Sequence, residues 1–362
     1  MSIRLGVIGG GIFGETHLQI FSQLQRDERC ELVALADLNP KVLEQRSAQY
    51  GVKTYRDYRE MLARERLDGV AVVTPDPTHQ PIVLDALSAG CHVLVEKPMD
   101  VTVEGCRRMV EAARRADRLL QVDFHKRFDA YHIALRDAVA EGRLGSPLYG
   151  YAWMENRIEV PRDWWPGWAS KSSSGWFLGS HMVDLFRWVI GCRNARRVWA
   201  SGVKKRLVAL GVDTYDCIQA KIDFEDYIAF SLDTSWVLPE GFESPVNQGI
   251  RVVGTNGIME VDSQHRGAEA CFGGQTQQTL NLGFKLVTKD KHGRPRYEGY
   301  GFASIADFVE NIEFLREGGT IGQLRGQYPS GEDGLEVTRI LCAIHESVRT
   351  RRIVELERDA EA

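Results

Sequence analysis

A strand-like run that ends in spaced glycines and opens into a helical pattern constrains this chain more than any other feature. The stretch "IRLGVIG" (3–9) is short and apolar, and "GGGIFG" then sets Gly9, Gly11 and Gly14 at G-x-G-x-x-G spacing. Leu18 and Phe21 follow three apart, as on one face of a helix. Glycines at these positions let backbone N–H groups approach an anion at the positive end of that helix. Gly9, Gly11, Ile12, Phe13 and Gly14 are therefore candidates to hold a pyrophosphate. A second apolar run, "ELVALAD" (31–37), ends in Asp37, 23 residues beyond Gly14. A carboxylate at that spacing accepts hydrogen bonds from an adenosine ribose. It would repel a 2′-phosphate, and "LNPK" after it supplies no arginine, so NAD is expected rather than NADP, with Lys41 the nearby cation. The plainer alternative is a strand–turn–helix corner that binds nothing.

The same alternation continues. "DGVAVVTP" (68–75) and "HVLVEKP" (92–98) read as buried strands separated by the helical "PIVLDALSAG", and a helix over roughly 102–116 precedes "LLQVDFH" (119–125). Strands alternating with helices imply right-handed crossovers and a parallel sheet covered on both faces. Beyond a linking helix in "HKRFDAYHIALRDAVAEGRLG" the pattern changes. "CIQAKIDF", "YIAFSLDTSW", "IRVVGT" and "IMEVD" alternate with period two, and "GTNG" supplies turn chemistry between the last two. The boundary is placed near residue 125, giving a dinucleotide-binding domain over 1–125 and a second domain over 126–362.

Composition narrows the function. The chain of 362 residues is 43% hydrophobic and 26% charged with a formal charge of −5. Nucleic-acid and membrane-surface partners need a positive footprint that this balance does not provide. The seven cysteines (30, 91, 106, 192, 217, 271 and 342) are dispersed, without C-x-x-C pairs or metal-ligand spacing. Free thiols in a reducing compartment, no metal and a cytoplasmic location are the expectation. No secretory signal pattern or membrane-spanning run is visible.

By "VVTPDPTH" (72–79), "VEKPM" (95–99), "FHKRFD" (124–129), "GWFLGSHMVDLFRW" (175–188) and "IRVVGTNGIMEVD" (250–262) the sequence resembles the Gfo/Idh/MocA family over nearly its whole length. The resemblance implies an α/β protein. An N-terminal Rossmann domain with a doubly wound parallel sheet binds NAD(P), and a C-terminal α/β domain carries a large, open, mainly antiparallel sheet. It implies a homodimer or homotetramer built through the open sheet face. It also implies oxidation of a secondary hydroxyl on a sugar, sugar acid, anionic sugar or cyclitol. Lys97 resembles the family lysine that hydrogen-bonds the reacting hydroxyl, and His181 the family histidine that serves as acid/base or positions the sugar. Thr74, Pro75, His79, Glu96, Lys97 and Lys126 fall where the family meets the cofactor, though Asp76 replaces the usual asparagine of "TPDPTH". Lys126 and Arg127 match a basic site near the substrate.

Oxidising an alcohol requires a group that takes the hydroxyl proton as hydride leaves, and both lysine and imidazole suit it. The sequence departs from the family at Phe177, where many members carry the aspartate of D-x-G-x-H. His181 is then expected to act as a neutral imidazole, with Lys97 carrying more of the proton transfer. Asp184, at i+3, is placed either to face His181 or to support helix packing. The segment 155–177 and its edge hold Trp153, Trp164, Trp165, Trp168 and Trp176 among Arg157, Arg162 and Lys171. Aromatic faces stack on sugar rings and arginines grip anions, which points to an anionic or glycosidic ligand; a subunit-contact loop accounts for the same residues equally. Two other functions stay open: an NAD-dependent glycosidase that oxidises transiently, and a non-catalytic NAD-binding regulator.

Overall fold

The computed structural model describes residues 2–164, 166–265, 268–271 and 277–356. Two compact units emerge. The first holds Met1–Phe128 and Gly283–Leu335, the second Asp129–Leu282 and Glu336–Ala362.

The first unit is built on six strands: β1 (Ile3–Ile8), β2 (Cys30–Ala36), β3 (Lys53–Tyr55), β4 (Gly69–Val72), β5 (His92–Val95) and β6 (Leu120–Val122). They lie in the order β3-β2-β1-β4-β5-β6, every pair parallel. This is the doubly wound arrangement, whose order reverses between β1 and β4 and opens a crevice at the strands' carboxyl ends there. The crossovers are α1 (Ile12–Arg26), α2 (Pro40–Tyr50), α3 (Tyr58–Arg64), α4 (His79–Ser88) and α5 (Val103–Ala116). Local chemistry starts several of them. Asn39, Asp57 and Thr102 accept from the N–H groups of Lys41, Arg59 and Gly105, satisfying donors that a helix start leaves open. Asn39 is followed by Pro40, whose fixed φ suits the first helical position.

The β1–α1 corner is the tightest point. Gly9 has φ +99°, and a Cβ on Gly14 would stand 1.9 Å from the Gly9 carbonyl oxygen. Any side chain there would force strand and helix apart. The unit's core continues into a helix remote in sequence, Tyr300–Arg316, whose Phe302, Ile305, Phe308, Val309 and Ile312 join Leu5, Val7, Leu18 and Phe21 in one apolar cluster. The single boundary read near residue 125 does not contain this return of the chain to its first unit.

The second unit centres on a seven-stranded sheet. β7 (Pro147–Arg157), β8 (Ala195–Val203), β9 (Cys217–Phe224), β10 (Ala229–Leu238), β11 (Val246–Gly254) and β12 (Ile258–Asp262) order as β12-β11-β7-β10-β9-β8, and Val354–Glu355 extends the β8 edge. Only β7 and β10 pair in parallel. The large, mainly antiparallel sheet expected is present, but three of its strands, β7, β8 and the edge strand Val354–Glu355, were not read from the sequence. One face is covered by α6 (Ala130–Ala140) and the wholly buried helix Ser180–Val189. Gly150 makes room for the ring of Phe186, which stacks on Phe230 at 4.1 Å. The other face is open, and the register lines up Trp199, Lys221, Ser231, Tyr151, Arg251 and Glu260 across it. Among the described residues no helix is long and apolar enough to cross a membrane.

Phe308 is fully buried, so Phe308→Ala is expected to lower unfolding free energy by about 3–5 kcal/mol, against under about 0.5 kcal/mol for exposed Glu310→Ala. Urea unfolding checks this; equal, small losses would show the returning helix to be dispensable to that core.

Candidate functional site

The crevice of the first unit encloses about 560 Å³ and is lined by Gly9, Gly11, Asp37, Thr74 and Pro75 among others. Gly11 opens α1 without a side-chain cap, and a Cβ on it would meet nothing within 4 Å, so the helix start faces open space. Ile12 is 63% exposed beside it. The Asp37 carboxylate is held rigidly: Oδ2 accepts from Gly10 N at 2.7 Å and Oδ1 from Asn39 N at 2.8 Å. A fixed carboxylate, a side-chain-free helix start and apolar walls fit the adenosine and pyrophosphate of a dinucleotide. Sequence reasoning missed Arg56, Tyr58 and Arg59, which reach the same crevice from the β3–α3 connection and the first turn of α3. Nothing in their local pattern marks them, since only the tertiary fold brings β3 alongside β2. Arg59 is occupied by Asp85 at 2.9 Å.

Lys97 follows β5, joined to Pro98 by a cis peptide bond. Its side chain is 6% exposed. Burial pulls its ammonium below the usual lysine range, while the carboxylates of Glu96, Asp76 and Asp123 act in the opposite direction. Glu96 accepts from the Lys97 N–H at 3.2 Å. Burial first, and the Asp123 charge next, raise the Glu96 carboxyl to about 8, against the opposing pull of Lys97. A cavity of only about 20 Å³ lies among Thr16, His17, Glu96, Lys97, Asp123 and Lys285. Phe13 belongs to its wall, so it serves this cavity as well as the glycine turn. Lys285 Nζ donates to Thr16 Oγ1 at 2.7 Å and sits over the rings of Phe13, Phe284 and Phe302. His17, Asp123 and Lys285 were not singled out in the sequence.

Two expected cofactor residues stand differently. His79 is fully buried, with Nδ1 3.0 Å from the Pro98 carbonyl oxygen and Nε2 2.7 Å from that of Thr74. The buried ring is thereby enclosed between the loop after β4 and the loop after β5, with a carbonyl oxygen facing each of its nitrogens. Lys126 is 1% exposed in a short 3₁₀ turn, His125–Phe128, next to Arg127, which pairs with Asp333 at 3.1 Å.

In the second unit His181 is the second residue of the helix Ser180–Val189 and is 5% exposed. The helix is entered through a π-helical turn, Gly175–Gly179, a rare form found frequently at functional sites and unmarked in the periodicity. Phe177, at the position of the family aspartate, packs edge-on against Trp168 at 4.9 Å and tilted on Trp236 at 6.2 Å. Asp184 is fully buried within the helix.

The tryptophan-rich segment does not gather into one aromatic surface. Trp168 joins the Phe177 cluster, Trp176 stacks on His345 at 4.9 Å, and Trp153 stacks on Tyr151 at 5.5 Å. Trp164 is 48% exposed, and Trp165 lies outside the described residues. The arginines expected to grip an anion have partners within the chain. Arg162 pairs with Asp163 and Glu240, and Arg157 donates to the carbonyls of Glu240 and Phe242 beside Glu159. Local carboxylates thus offset the charge on which that expectation rested, and carbonyls take up guanidinium donors of Arg157. Lys171 is exposed and donates its backbone N–H to the Trp168 carbonyl.

Comparison with known proteins agrees with these features. A family model described as an oxidoreductase family with an NAD-binding Rossmann fold matches residues 3–124, and the GFO/IDH/MocA C-terminal domain matches residues 132–260. An inositol 2-dehydrogenase of Rubrobacter xylanophilus is 30% identical over 263 residues, 72% of this chain and 71% of the relative. One from Klebsiella pneumoniae is 36% identical over 151 residues, 41% of this chain and 44% of the relative. Among solved structures, scyllo-inositol dehydrogenase from Lactobacillus casei with bound NAD(H) and scyllo-inositol superposes with a TM-score of 0.78 at 19% identity, covering 98% of this chain and 99% of that one. GenD2 from gentamicin A biosynthesis, in complex with NAD, gives 0.80 at 24% identity, covering 98% and 97%. At these identities the two structures bear on the fold alone. With both family domains matched in order and a relative aligned over most of both lengths, the chain belongs to the Gfo/Idh/MocA oxidoreductase family and carries its NAD-binding Rossmann domain.

Proposed function

We propose that this protein is an NAD-dependent dehydrogenase that oxidises a secondary hydroxyl of a cyclitol or a closely related sugar, with Lys97 as the base and His181 positioning the hydroxyl. The observation that carries the reading is the buried Lys97 at the carboxyl end of β5, in a chain aligned with an inositol 2-dehydrogenase over 72% of its length. Bound NAD supplies the hydride acceptor. The chain's own groups handle the proton. A lysine whose proton affinity is lowered by burial presents a larger neutral fraction, and neutral Nζ can take the hydroxyl proton as the carbonyl forms. Asp184, buried in the same helix as His181, is assigned to holding that helix rather than to touching substrate. An anionic sugar is disfavoured, because Arg157 and Arg162 are engaged by acidic and carbonyl groups of the chain. No observation favours the glycosidase or the non-catalytic regulator.

The cytoplasmic setting and the homo-oligomer belong to the same proposal. All seven cysteines are free thiols, and exposed Tyr149, Tyr151 and Trp199 stand on strands β7 and β8 of the open sheet. Sedimentation at micromolar protein is expected to give a multiple of the chain mass; a monomer would remove that part.

Lys97→Met is expected to lower kcat for inositol oxidation by about 10²–10⁴ while NADH affinity stays near wild type. NADH formation over a panel of inositol isomers and fluorescence titration of NADH check the two halves. Full activity in Lys97→Met, or no turnover across cyclitols and sugars by wild type, would sink the reading. Asp37→Ala is expected to reduce the preference for NAD over NADP at least about tenfold, since it removes a charge-assisted hydrogen bond to the ribose and the repulsion of a 2′-phosphate. Competition titrations of the two cofactors measure it.

A further inference from the structure

The proposed reaction leaves a group of buried polar atoms in the first unit without a role. His17, on α1, is 1% exposed, and its Nδ1 lies 3.0 Å from the Phe13 carbonyl oxygen. A carbonyl only accepts, so Nδ1 carries the hydrogen, and Nε2 of a neutral ring offers a lone pair. Burial does hold this ring below the usual histidine range, despite the opposing pull of Asp123. Nε2 has no hydrogen-bond partner, and it faces Asp123 Oδ2, another acceptor, at 3.8 Å. Asp123 is 4% exposed, and its Oδ1 is likewise without a partner. A carboxylate oxygen of Asp123 also lies within 4.8 Å of one of Glu96, and the Asp123 charge helps to raise the Glu96 carboxyl. Two ionised carboxylates have acceptors only; a hydrogen bond between them requires a proton.

A divalent cation is the rival occupant, because donor atoms of His17, Glu96 and Asp123 all lie within 4.8 Å of one another. The rest of the cavity opposes it. Lys97 and Lys285 line the same space, and two ammonium groups repel a dication at this range in a way that a shared proton avoids. The free volume of about 20 Å³ is that of a single water, which can donate to Nε2 and to a carboxylate oxygen together.

We propose that Glu96 and Asp123 share one proton behind Lys97, with a single water joining the pair to Nε2 of His17, so that the pair presents one fixed negative charge to the lysine while it works. Both are positioning residues: they act through Lys97. The charged and titratable groups around the pair are Lys97 and Asp76 from the loops after β5 and β4, Lys285, His17 and Glu15 from α1, and His125 after β6. Glu96 is the member that holds the proton, its carboxyl raised to about 8 by burial and the Asp123 charge. The existence of the shared proton does not depend on the proposed reaction; its consequence for Lys97 does.

The first test needs no turnover. Infrared difference spectra of the NAD-bound protein from about pH 6 to about pH 9 should contain a protonated-carboxyl band that disappears near pH 8, is absent in Glu96→Gln and titrates at lower pH in Asp123→Asn. Asp307, raised to about 7 by burial, gives a second band that persists in both variants and vanishes in Asp307→Asn. A wild-type protein with no carboxyl band titrating near 8 overturns the proposal without any variant. So does one tightly bound divalent ion per chain, found by elemental analysis and lost in Asp123→Asn.

The second test reads Lys97 through the pH profile of kcat/KM. Each single amide leaves one negative charge, so the acid limb stays at the wild-type position. The double variant Glu96→Gln/Asp123→Asn removes the charge and moves that limb down by about one pH unit, because a lysine without a neighbouring anion loses its proton more readily. If both carboxylates were ionised, each single variant would shift the limb by itself, and that result refutes the shared proton. Should the protein turn over no cyclitol at all, the dehydrogenase reading fails while the infrared result still decides this one.

Discussion

An ammonium group nearly removed from water at the end of a parallel strand sets the terms for the rest of the first unit. Lys97 is 6% exposed, and desolvating such a cation costs several kcal/mol unless anions stand close by. Glu96, Asp76 and Asp123 supply them. Their own mutual repulsion must then be relieved, and a second cation, Lys285, is brought in over the faces of Phe13, Phe284 and Phe302. Lys285 comes from the segment 283–335, which rejoins the first unit just before the helix Tyr300–Arg316 that completes its core. One return of the chain thus does two jobs: it covers the sheet with apolar side chains and delivers a charge to the neighbourhood of the proposed base.

Much of this frame was legible in the sequence because its signals are local. The glycines at 9, 11 and 14, the carboxylate at 37 and the lysine at 97 each belong to a short segment whose strand or turn fixes their place, and each lies at the end of a strand or the start of a helix. What escaped notice depends on contacts between distant segments. Lys285 meets Thr16 across 269 positions, and no periodicity connects them. Asp123 was hidden inside "LLQVDFH", read as one strand through residue 125. Pairing stops at Val122, so Asp123 falls just beyond the sheet, at the crevice end. β7 went unread because its glycine and aromatic residues blur the alternation that a half-buried strand should show. The tryptophan-rich segment misled for the opposite reason: composition suggested one aromatic surface, whereas neighbouring aromatics and acids divide its members among separate contacts.

Phe177 gives the most instructive difference from the family pattern. A side chain at this position sits against the rings of Trp168 and Trp236, which the half-buried Phe177 fills with apolar contact. At this position the second unit has aromatic contact in place of a charge, and the helix that holds His181 follows a turn packed by aromatic rings. The chemistry proposed for Lys97 still requires an anion near the group that carries the proton. In this chain that requirement is met from within the first unit, by Glu96 and Asp123, on the same body as the lysine itself. In the proposed reaction the groups that set the protonation state of the base then all belong to the cofactor-binding unit.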